Sequence, residues 1–142
     1  MKNLLTRDQL VVWAAGFFDG EGSVGIFRAR AGGKVMALRI RTGQKIREPL
    51  ERFVLLWGGS IWHRRATAKY SEFFEWQLHS LLALEALEEM EPYLVVKRPH
   101  VQVARDFMSG VGRRGGINNQ SLSVDESERR AALQEAMSIL NN

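Results

Sequence analysis

The chain of 142 residues contains no cysteine and only three prolines. Without cysteine it can form neither a disulfide framework nor a thiolate metal site. No segment approaches the roughly 20 consecutive apolar residues of a membrane-spanning helix, and the first residues lack the apolar run of a signal peptide. These absences exclude disulfide-stapled and membrane proteins, so we expect a soluble intracellular protein, cytoplasmic or organellar, with no membrane partner.

Basic charge is concentrated in the middle of the chain. Residues 28–69 contain eleven Lys or Arg and only two acids, a net charge of +9, although the whole chain carries only +4. The remaining residues are therefore acidic on balance. Such an asymmetry favours a polyanionic partner for the middle of the chain.

An apolar helix is predicted near the amino terminus. Thr6 with Gln9 three residues later has the pattern of a capping box, and residues 10–18 carry no charge. A helix that is apolar all round is buried on several sides.

One face of this helix has almost no side-chain bulk. Val12, Gly16 and Gly20 are spaced by four residues and so share that face, with Ala15 beside them. Two helices with such faces can approach each other closely.

The predicted helix ends on two acids, Asp19 and Glu21. Because a helix carboxyl end carries partial negative charge and free carbonyls, acids there are unfavourable. A divalent cation would remove this penalty, and carboxylate with backbone carbonyl is an oxygen ligand set suited to Mg²⁺. A buried helix with a solvated acidic end is the structural alternative.

The remaining pattern predicts an α+β domain. The order is helix, two strands, helix, two strands, helices, which allows one four-stranded antiparallel sheet with helices on one face and a basic face left bare. Arginines on a bare strand face suit phosphates and guanine edges in the DNA major groove, although they also serve simply as a solubilising surface. The predicted elements after the first helix are strands 23–30, 34–44, 60–65 and 73–79 and helices 46–57, 80–90 and 98–108.

We expect residues 1–109 to form this domain. Residues 110–124 are predicted to be a flexible Gly-rich loop. Residues 125–142 have the pattern of an amphipathic helix, which we expect to pack on the same domain.

Residues 14–22, Ala-Ala-Gly-Phe-Phe-Asp-Gly-Glu-Gly, resemble the motif of the LAGLIDADG homing endonucleases. Ala14 stands for the leading Leu of the motif and Glu21 for its second Asp. The resemblance covers roughly residues 6–108 and implies the family's αββαββα fold with a saddle-shaped sheet. It also implies a metal-dependent, site-specific DNA endonuclease. Because the chain holds one motif, we expect a homodimer that acts on double-stranded DNA with a long, roughly palindromic target.

The resemblance also implies roles for individual residues. Glu21 and the carbonyl of Gly20 would hold Mg²⁺, or Mn²⁺ or Ca²⁺ at the same position. Gln44 would orient the active-site water, and Lys97 would stabilise developing charge. Glu48 stands near where some members have an arginine. No small-molecule cofactor is expected.

Two larger sets complete the predicted site. The expected DNA-contacting residues lie on or beside the strands: Arg28, Arg30, Arg39, Arg41, Lys45, His63, Arg65 and Gln77. The expected dimer contacts lie on the motif helix: Val12, Ala15, Gly16, Asp19 and Gly20. Arg28 and Arg30 share the parity of the apolar residues of their strand, so they face DNA only if the strand contains a bulge or bend.

Two other functions remain open from the sequence. An RNA maturase that assists intron splicing, or a DNA-binding regulator without cleavage, could use the same fold. A basic structural protein is a third possibility, but it leaves residues 14–22 unexplained.

Overall fold

The structure is a computed structural model that describes residues 4–28, 35–110 and 123–142. Its helices and strands follow the predicted order, including the predicted helix at the end of the chain, so the α+β prediction is confirmed. The elements are α1 (Arg7–Glu21), β1 (Gly22–Arg28), β2 (Met36–Gln44), α2 (Glu48–Trp57), β3 (Ser60–Arg64), β4 (Phe73–His79), α3 (Ser80–Met90), a 3₁₀ turn (Glu91–Tyr93), α4 (Arg98–Ser109) and α5 (Val124–Asn141).

Two parts of the predicted pattern lie outside the described residues: the adjoining ends of the first two predicted strands, at 29–30 and 34, and most of the predicted Gly-rich loop. None of the helices in the described part of the chain has the length and hydropathy needed to cross a bilayer.

The four strands form one antiparallel sheet in the order β1-β2-β4-β3. The registers are regular: Val24 lies opposite Ile40, which lies opposite Leu78. Because cross-strand partners point to the same side of a sheet, this row defines the face that packs against the helices. The other side is called the open face, and its residues are Ser23, Gly25, Phe27, Ala37, Arg39, Arg41, Gly43, Ser60, Trp62, Arg64, Phe73, Glu75, Gln77 and His79.

The predicted capping box starts α1. The Thr6 hydroxyl accepts from the Gln9 N–H at 3.1 Å, and the Gln9 side chain accepts from the Thr6 N–H at 2.9 Å. These bonds satisfy two polar groups at the helix start. Further along, the Val11 and Phe18 side chains are buried against the sheet and the other helices.

An aromatic cluster joins α1, α2 and the sheet. The Phe53 ring lies 4.8 Å from the Trp76 ring and 5.8 Å from the Phe17 ring, measured between centroids. The Trp76 indole donates to the carbonyl of Gly58 at 2.8 Å. Gly58 ends α2 with φ of +75°, a conformation that favours glycine. The cluster fixes α1 against the end of the sheet.

The last helix covers the free edge of β1. The side-chain amides of Gln134 and Asn141 donate to the carbonyls of Ile26 and Val24, at 3.1 and 2.9 Å. Since β1 is an edge strand, these bonds satisfy backbone groups that no neighbouring strand reaches. α5 thus protects the edge of the sheet.

Two arginines of α5 also hold the end of α4. Arg129 donates to the carbonyl of Asp106 at 2.7 Å, and Arg130 donates to that of Gly110 at 3.4 Å. Both arginines bind Glu126, and the bond from Arg129 contributes most to lowering the pKa of that carboxyl to about 2. The helix is therefore anchored at both of its ends.

Candidate functional site

Glu21, the last residue of α1, lines an open cleft of about 330 Å³. The backbone turns into β1 at Gly22, where a side chain would collide with the ring of Phe18. Glycine at this position therefore lets the buried ring and the strand start lie in contact. The residues that line the cleft come from α1, β1, β2 and β4: Glu21, Ser23, Arg41, Thr42, Gly43, Phe73 and Glu75.

Lys97 caps the carboxyl end of α1 with its side chain. Its ammonium donates to the backbone carbonyl of Asp19 at 2.8 Å. The Asp19 carboxylate in turn accepts the backbone N–H groups of Val95 at 2.7 Å and Lys97 at 3.0 Å. A basic group thus lies at the helix end, as the helix dipole favours, but it comes from a residue 78 positions away in sequence.

These contacts change the acidity of both side chains. Burial acts to raise the pKa of Asp19, but the N–H groups of Val95 and Lys97 outweigh it and hold that pKa below its ordinary value. Burial lowers the pKa of the Lys97 ammonium, and the nearby carboxylates of Asp19 and Glu21 counteract part of this effect. Lys97 is therefore partly desolvated and lies within electrostatic reach of Glu21.

Gln44 is the last residue of β2, at the same end of the sheet as Glu21. Their strands meet there, since Gly22 lies opposite Thr42. The Gln44 side-chain oxygen accepts from the N–H of Lys45 at 2.8 Å, so this bond uses one of its polar groups and leaves its amide nitrogen as a donor. The three predicted catalytic residues, Glu21, Gln44 and Lys97, make no hydrogen bond or ion pair with one another.

Glu48, the predicted departure from the family pattern, is exposed at the start of α2. Its neighbour Arg47 forms an ion pair with Glu51 at 3.0 Å, and its guanidinium lies 5.9 Å from the ring centroid of Phe74. Phe74 is the cross-strand partner of Gln44. Arg47 thus supplies a cation at the Gln44 end of the sheet.

The open face carries two arginines of β2 side by side. Arg41 donates to the Ser23 hydroxyl at 3.1 Å, and the Arg39 guanidinium lies 4.4 Å from the ring centroid of Phe27. Burial, and then the charge of Arg41, lower the pKa of Arg39. Gln77 of β4 lies directly opposite Arg41. The structure places all three predicted contacts, Arg39, Arg41 and Gln77, on one surface.

Two predicted DNA contacts do not lie on the open face. Arg28 pairs with Met36 in a continuous register without a bulge, so it has the parity of the helix-packed face. His63 has the parity of Ile61, and its ring stacks on Phe74 at 4.5 Å while its Nε2 lies 3.0 Å from Glu72. Both residues therefore have the strand parity of the helix-packed face, and their contact with DNA stays a prediction.

The other predicted contacts have different positions. Lys45 and Arg65 are exposed in the segments that follow β2 and β3. Arg30 lies outside the described residues.

Sequence reasoning missed three residues of the open face. Trp62, which is 54% exposed, and Arg64 lie on β3, and Glu75 lies on β4 opposite Trp62. The signal was the apolar Ile61: because side chains alternate along a strand, an inward Ile61 turns Trp62 and Arg64 outward.

The face of α1 formed by Val12, Gly16 and Gly20, here called the small-residue stripe, is exposed. Val12 is 48% exposed, and a Cβ added at Gly16 or Gly20 would meet no atom within 4 Å. Nothing within the described protomer therefore requires glycine at either position. Ala15 is wholly buried in the core, which contradicts its predicted place in a dimer contact, because it lies about 100° around the helix from Gly16. Asp19 is held by the loop before α4, at the flank of the stripe.

The oxygen atoms at the end of α1 fit a hard divalent cation. Glu21 is exposed and makes no hydrogen bond or ion pair with a described residue, and Gly20 is also exposed. Both carboxylate oxygens of Asp19 are already used. Among the described residues, no three His, Cys, Asp or Glu side chains form a group that could hold a metal ion. One chain therefore supplies only part of a metal ligand set.

The fold is similar to several solved structures. The archaeal intron-encoded homing endonuclease I-Vdi141I, in a complex with DNA, matches with a TM-score of 0.75 and 16% identity over 96% of this chain and 87% of that chain. The homing endonuclease I-CvuI, bound to its target in the presence of Ca, matches with a TM-score of 0.74 and 15% identity over 94% of this chain and 83% of that chain.

A third match is to a longer chain. The LAGLIDADG homing endonuclease I-SmaMI, bound to cleaved DNA, has a TM-score of 0.62 and 19% identity over 92% of this chain but only 43% of that chain. No protein-family model and no curated protein sequence matches the chain.

The chain thus has the fold of the LAGLIDADG homing endonucleases. Within that fold the motif residues 14–22 form the second half of α1 and its junction with β1, where Glu21 meets the cleft. The resemblance inferred from residues 14–22 is confirmed in the fold.

Proposed function

We propose that this protein is a site-specific DNA endonuclease that requires a divalent cation and acts as a homodimer on a long, roughly palindromic target. One observation carries the proposal. Glu21, at the end of the motif helix, and Arg41, on the open face, line the same cleft. A cation-binding acid and a phosphate-binding arginine therefore lie where one DNA strand could meet both.

The open face suits duplex DNA. A two-stranded β-ribbon fits the major groove, and Arg39 and Gln77 present the side-chain types that bond guanine and adenine edges beside the phosphate-binding Arg41. The neighbouring strands β2 and β4 carry these residues next to each other. Sequence-specific binding along a groove follows from this arrangement.

Dimerisation would complete the site. One chain supplies one exposed carboxylate at the helix end, and two-metal or shared-metal hydrolysis of a phosphodiester needs more. The exposed stripe of Val12, Gly16 and Gly20 lets a second α1 approach closely and bring a second Glu21 alongside the first. The length of the I-SmaMI chain supports this. Because the match covers only 43% of that chain, it is long enough to contain two copies of the fold.

Three side chains would act at the phosphate. The Glu21 carboxylate and the Gly20 carbonyl would hold Mg²⁺, Mn²⁺ or Ca²⁺, and such a cation supplies charge neutralisation and water activation when bound. The Lys97 ammonium, partly desolvated and fixed on Asp19, would stabilise negative charge that develops in the transition state. Gln44 would orient the attacking water through its amide.

Cleavage of the intact insertion-site sequence tests the proposal. We propose that the gene lies within an intron, as is the case for the intron-encoded I-Vdi141I. The substrate is the genomic DNA on both sides of that intron, joined without it, and it is incubated with the protein and Mg²⁺. We expect a double-strand break that Glu21→Gln and EDTA abolish. Glu85→Gln, the same charge change at an exposed position of α3, should cleave normally.

Three outcomes contradict the proposal or a part of it. Tight binding of the DNA without cutting would indicate a DNA-binding regulator, and faster splicing of the intron RNA without DNA cleavage would indicate a maturase. Cleavage that survives Glu21→Gln would exclude Glu21 as a cation ligand.

A further inference from the structure

An acid lies in the middle of the basic open face. Glu75 is on β4, an inner strand of the sheet, with Gly43 of β2 on one side and Trp62 of β3 on the other. Among the open-face residues defined above it is the one carboxylate, and it lines the same cleft as Glu21. A carboxylate at this place repels phosphate, so it weakens DNA binding unless it makes a favourable contact of its own.

The arginines of the open face do not neutralise Glu75. Arg41 is bonded to Ser23, and Arg39 lies over Phe27, so both are engaged on the β1 side. In the described part of the chain Glu75 forms no ion pair within 4.0 Å. Its carboxylate keeps acceptor capacity although cations lie near.

The third arginine of this face is also engaged elsewhere. The guanidinium of Arg64 lies 5.2 Å from the ring centroids of both Phe73 and Tyr70, and it donates to the carbonyl of Ser71 at 3.3 Å. All three guanidinium groups are therefore engaged with other partners, and none forms an ion pair with Glu75, although Arg39 lies within electrostatic reach of it.

Gln77 fixes the direction of the Glu75 carboxylate. Its side-chain amide donates to Oε1 of Glu75 at 2.8 Å, and both residues lie on the same face, two positions apart. A carboxylate has about four lone-pair positions, so one bond from Gln77 leaves most of them available. The space over the cross-strand neighbour Gly43 is filled by the ring of Phe73, so a base edge would reach Glu75 from the open cleft that both residues line.

We propose that Glu75 reads a cytosine in the major groove by accepting a hydrogen bond from its N4 amino group, with Gln77 as the positioning residue. This inference rests on the proposed function. Cytosine presents an amino donor at that edge, whereas guanine and thymine present acceptors that repel a carboxylate. Adenine presents its N6 donor beside the N7 acceptor and is therefore less favourable.

The position of the cytosine in the target also follows. Since Glu75 and Glu21 share one cleft, the cytosine lies close to the cut phosphate and away from the outer ends of the target. A two-fold dimer presents Glu75 twice, so the preference occurs once in each half-site, at symmetric positions.

The test is selection of bound duplexes from a pool in which every half-site position is randomised, followed by sequencing. The full-length protein is compared with Glu75→Gln, Glu75→Ala and the control Glu85→Gln, an exposed acid of α3. We expect the unchanged protein and Glu85→Gln to enrich cytosine about tenfold at one position of each half-site. Glu75→Ala should lose this preference, and Glu75→Gln should shift it towards adenine.

Two results would overturn this reading of Glu75. One is the same cytosine preference in both Glu75 variants. The other is a gain in the affinity of the Glu75 variants that is equal for all sequences. This would mean that Glu75 only reduces the positive charge of the open face. Failure of the unchanged protein to bind any duplex would instead overturn the proposed function, and this inference with it.

Discussion

Asp19 and Lys97 are joined by two hydrogen bonds. In each bond the side chain of one residue contacts the backbone of the other. The Lys97 ammonium donates to the Asp19 carbonyl at 2.8 Å, and the Lys97 N–H donates to the Asp19 carboxylate at 3.0 Å. This reciprocal contact fixes the start of α4 at the end of the motif helix. It also holds a cation beside Glu21, so the same residues support the fold and the proposed chemistry.

Removing the Lys97 ammonium should slow cleavage with little effect on DNA binding. Lys97→Met keeps the apolar stem but loses the charge, and loss of one such electrostatic contact costs on the order of 100-fold in rate. Single-turnover cleavage with saturating protein measures this effect. Lys69→Met, which removes an exposed loop lysine, should leave the rate unchanged. An equal loss in both variants would contradict a specific role of Lys97.

Gly16→Ala should have opposite effects on the protomer and on the dimer. Alanine in a helix interior is more stable than glycine by about 0.5–1 kcal/mol, and the added Cβ meets no atom within 4 Å in the protomer. In a closely packed dimer the same methyl would collide with the partner helix.

Sedimentation velocity and thermal melting at several protein concentrations separate these effects. We expect a weaker dimer and an unchanged or more stable dilute protomer. Ala132→Leu, a larger addition at an exposed position of α5, should not change association. A Gly16→Ala protein that dimerises as tightly as the original would exclude the stripe as the contact.

Arg41→Gln should weaken DNA binding and reduce its dependence on salt. A residue that neutralises one phosphate contributes about one unit to the slope of log K against log salt concentration. Fluorescence anisotropy over a salt series gives that slope. Arg98→Gln is the control, because Arg98 is exposed on α4 and donates to the Pro92 carbonyl. If Arg98→Gln lowers the slope as much as Arg41→Gln does, the open face is not the DNA surface.

The stability of the fold should fall between pH 7.5 and 5.5 in part because of His100. This side chain is 5% exposed, its Nε2 lies 3.1 Å from the Asn141 amide oxygen, and its Nδ1 has no hydrogen-bond partner among the described residues. Burial lowers the pKa of His100, and the Asn141 contact opposes this only in part.

The unfolded chain therefore binds this proton first as the pH falls through about 6.5, which favours unfolding. Urea denaturation at both pH values should show a smaller pH dependence for His100→Gln than for the unchanged protein. The difference cannot exceed about 1.4 kcal/mol per pH unit, since one group is involved. An unchanged pH dependence would mean that His100 is not held neutral in the fold.

Local patterns predicted most of the fold. The Thr6–Gln9 capping box placed the start of α1, and strand alternation with basic outer residues placed β2 and its face correctly. These features depend on residues close together in the sequence, so periodicity and capping chemistry are enough to find them.

Two features of the site do not follow from local sequence patterns: which side of α1 faces the core, and which face of β3 each side chain occupies. Because residues 10–18 of α1 carry no charge, no polar residue marks which side faces the core, and the pattern places Ala15 in the dimer contact although it is buried. His63 is predicted as a DNA contact, but it lies two positions from Ile61 and shares its face of β3, a parity that the prediction leaves out.

Contacts between residues that are far apart in the sequence could not be predicted either. The bond between Lys97 and Asp19 joins positions 78 residues apart, and only the packing of the 3₁₀ turn and α4 against α1 creates it.

Mixed dimers test the central claim most directly, namely that two copies of Glu21 together cut one DNA duplex. Unchanged and Glu21→Gln copies with different affinity tags are combined, the mixed dimer is isolated, and double-strand cleavage of the insertion-site DNA is measured with Mg²⁺. We expect normal DNA binding and a loss of double-strand cleavage on the order of 100-fold, about 2.7 kcal/mol in activation free energy. Full double-strand cleavage by the mixed dimer would contradict the account.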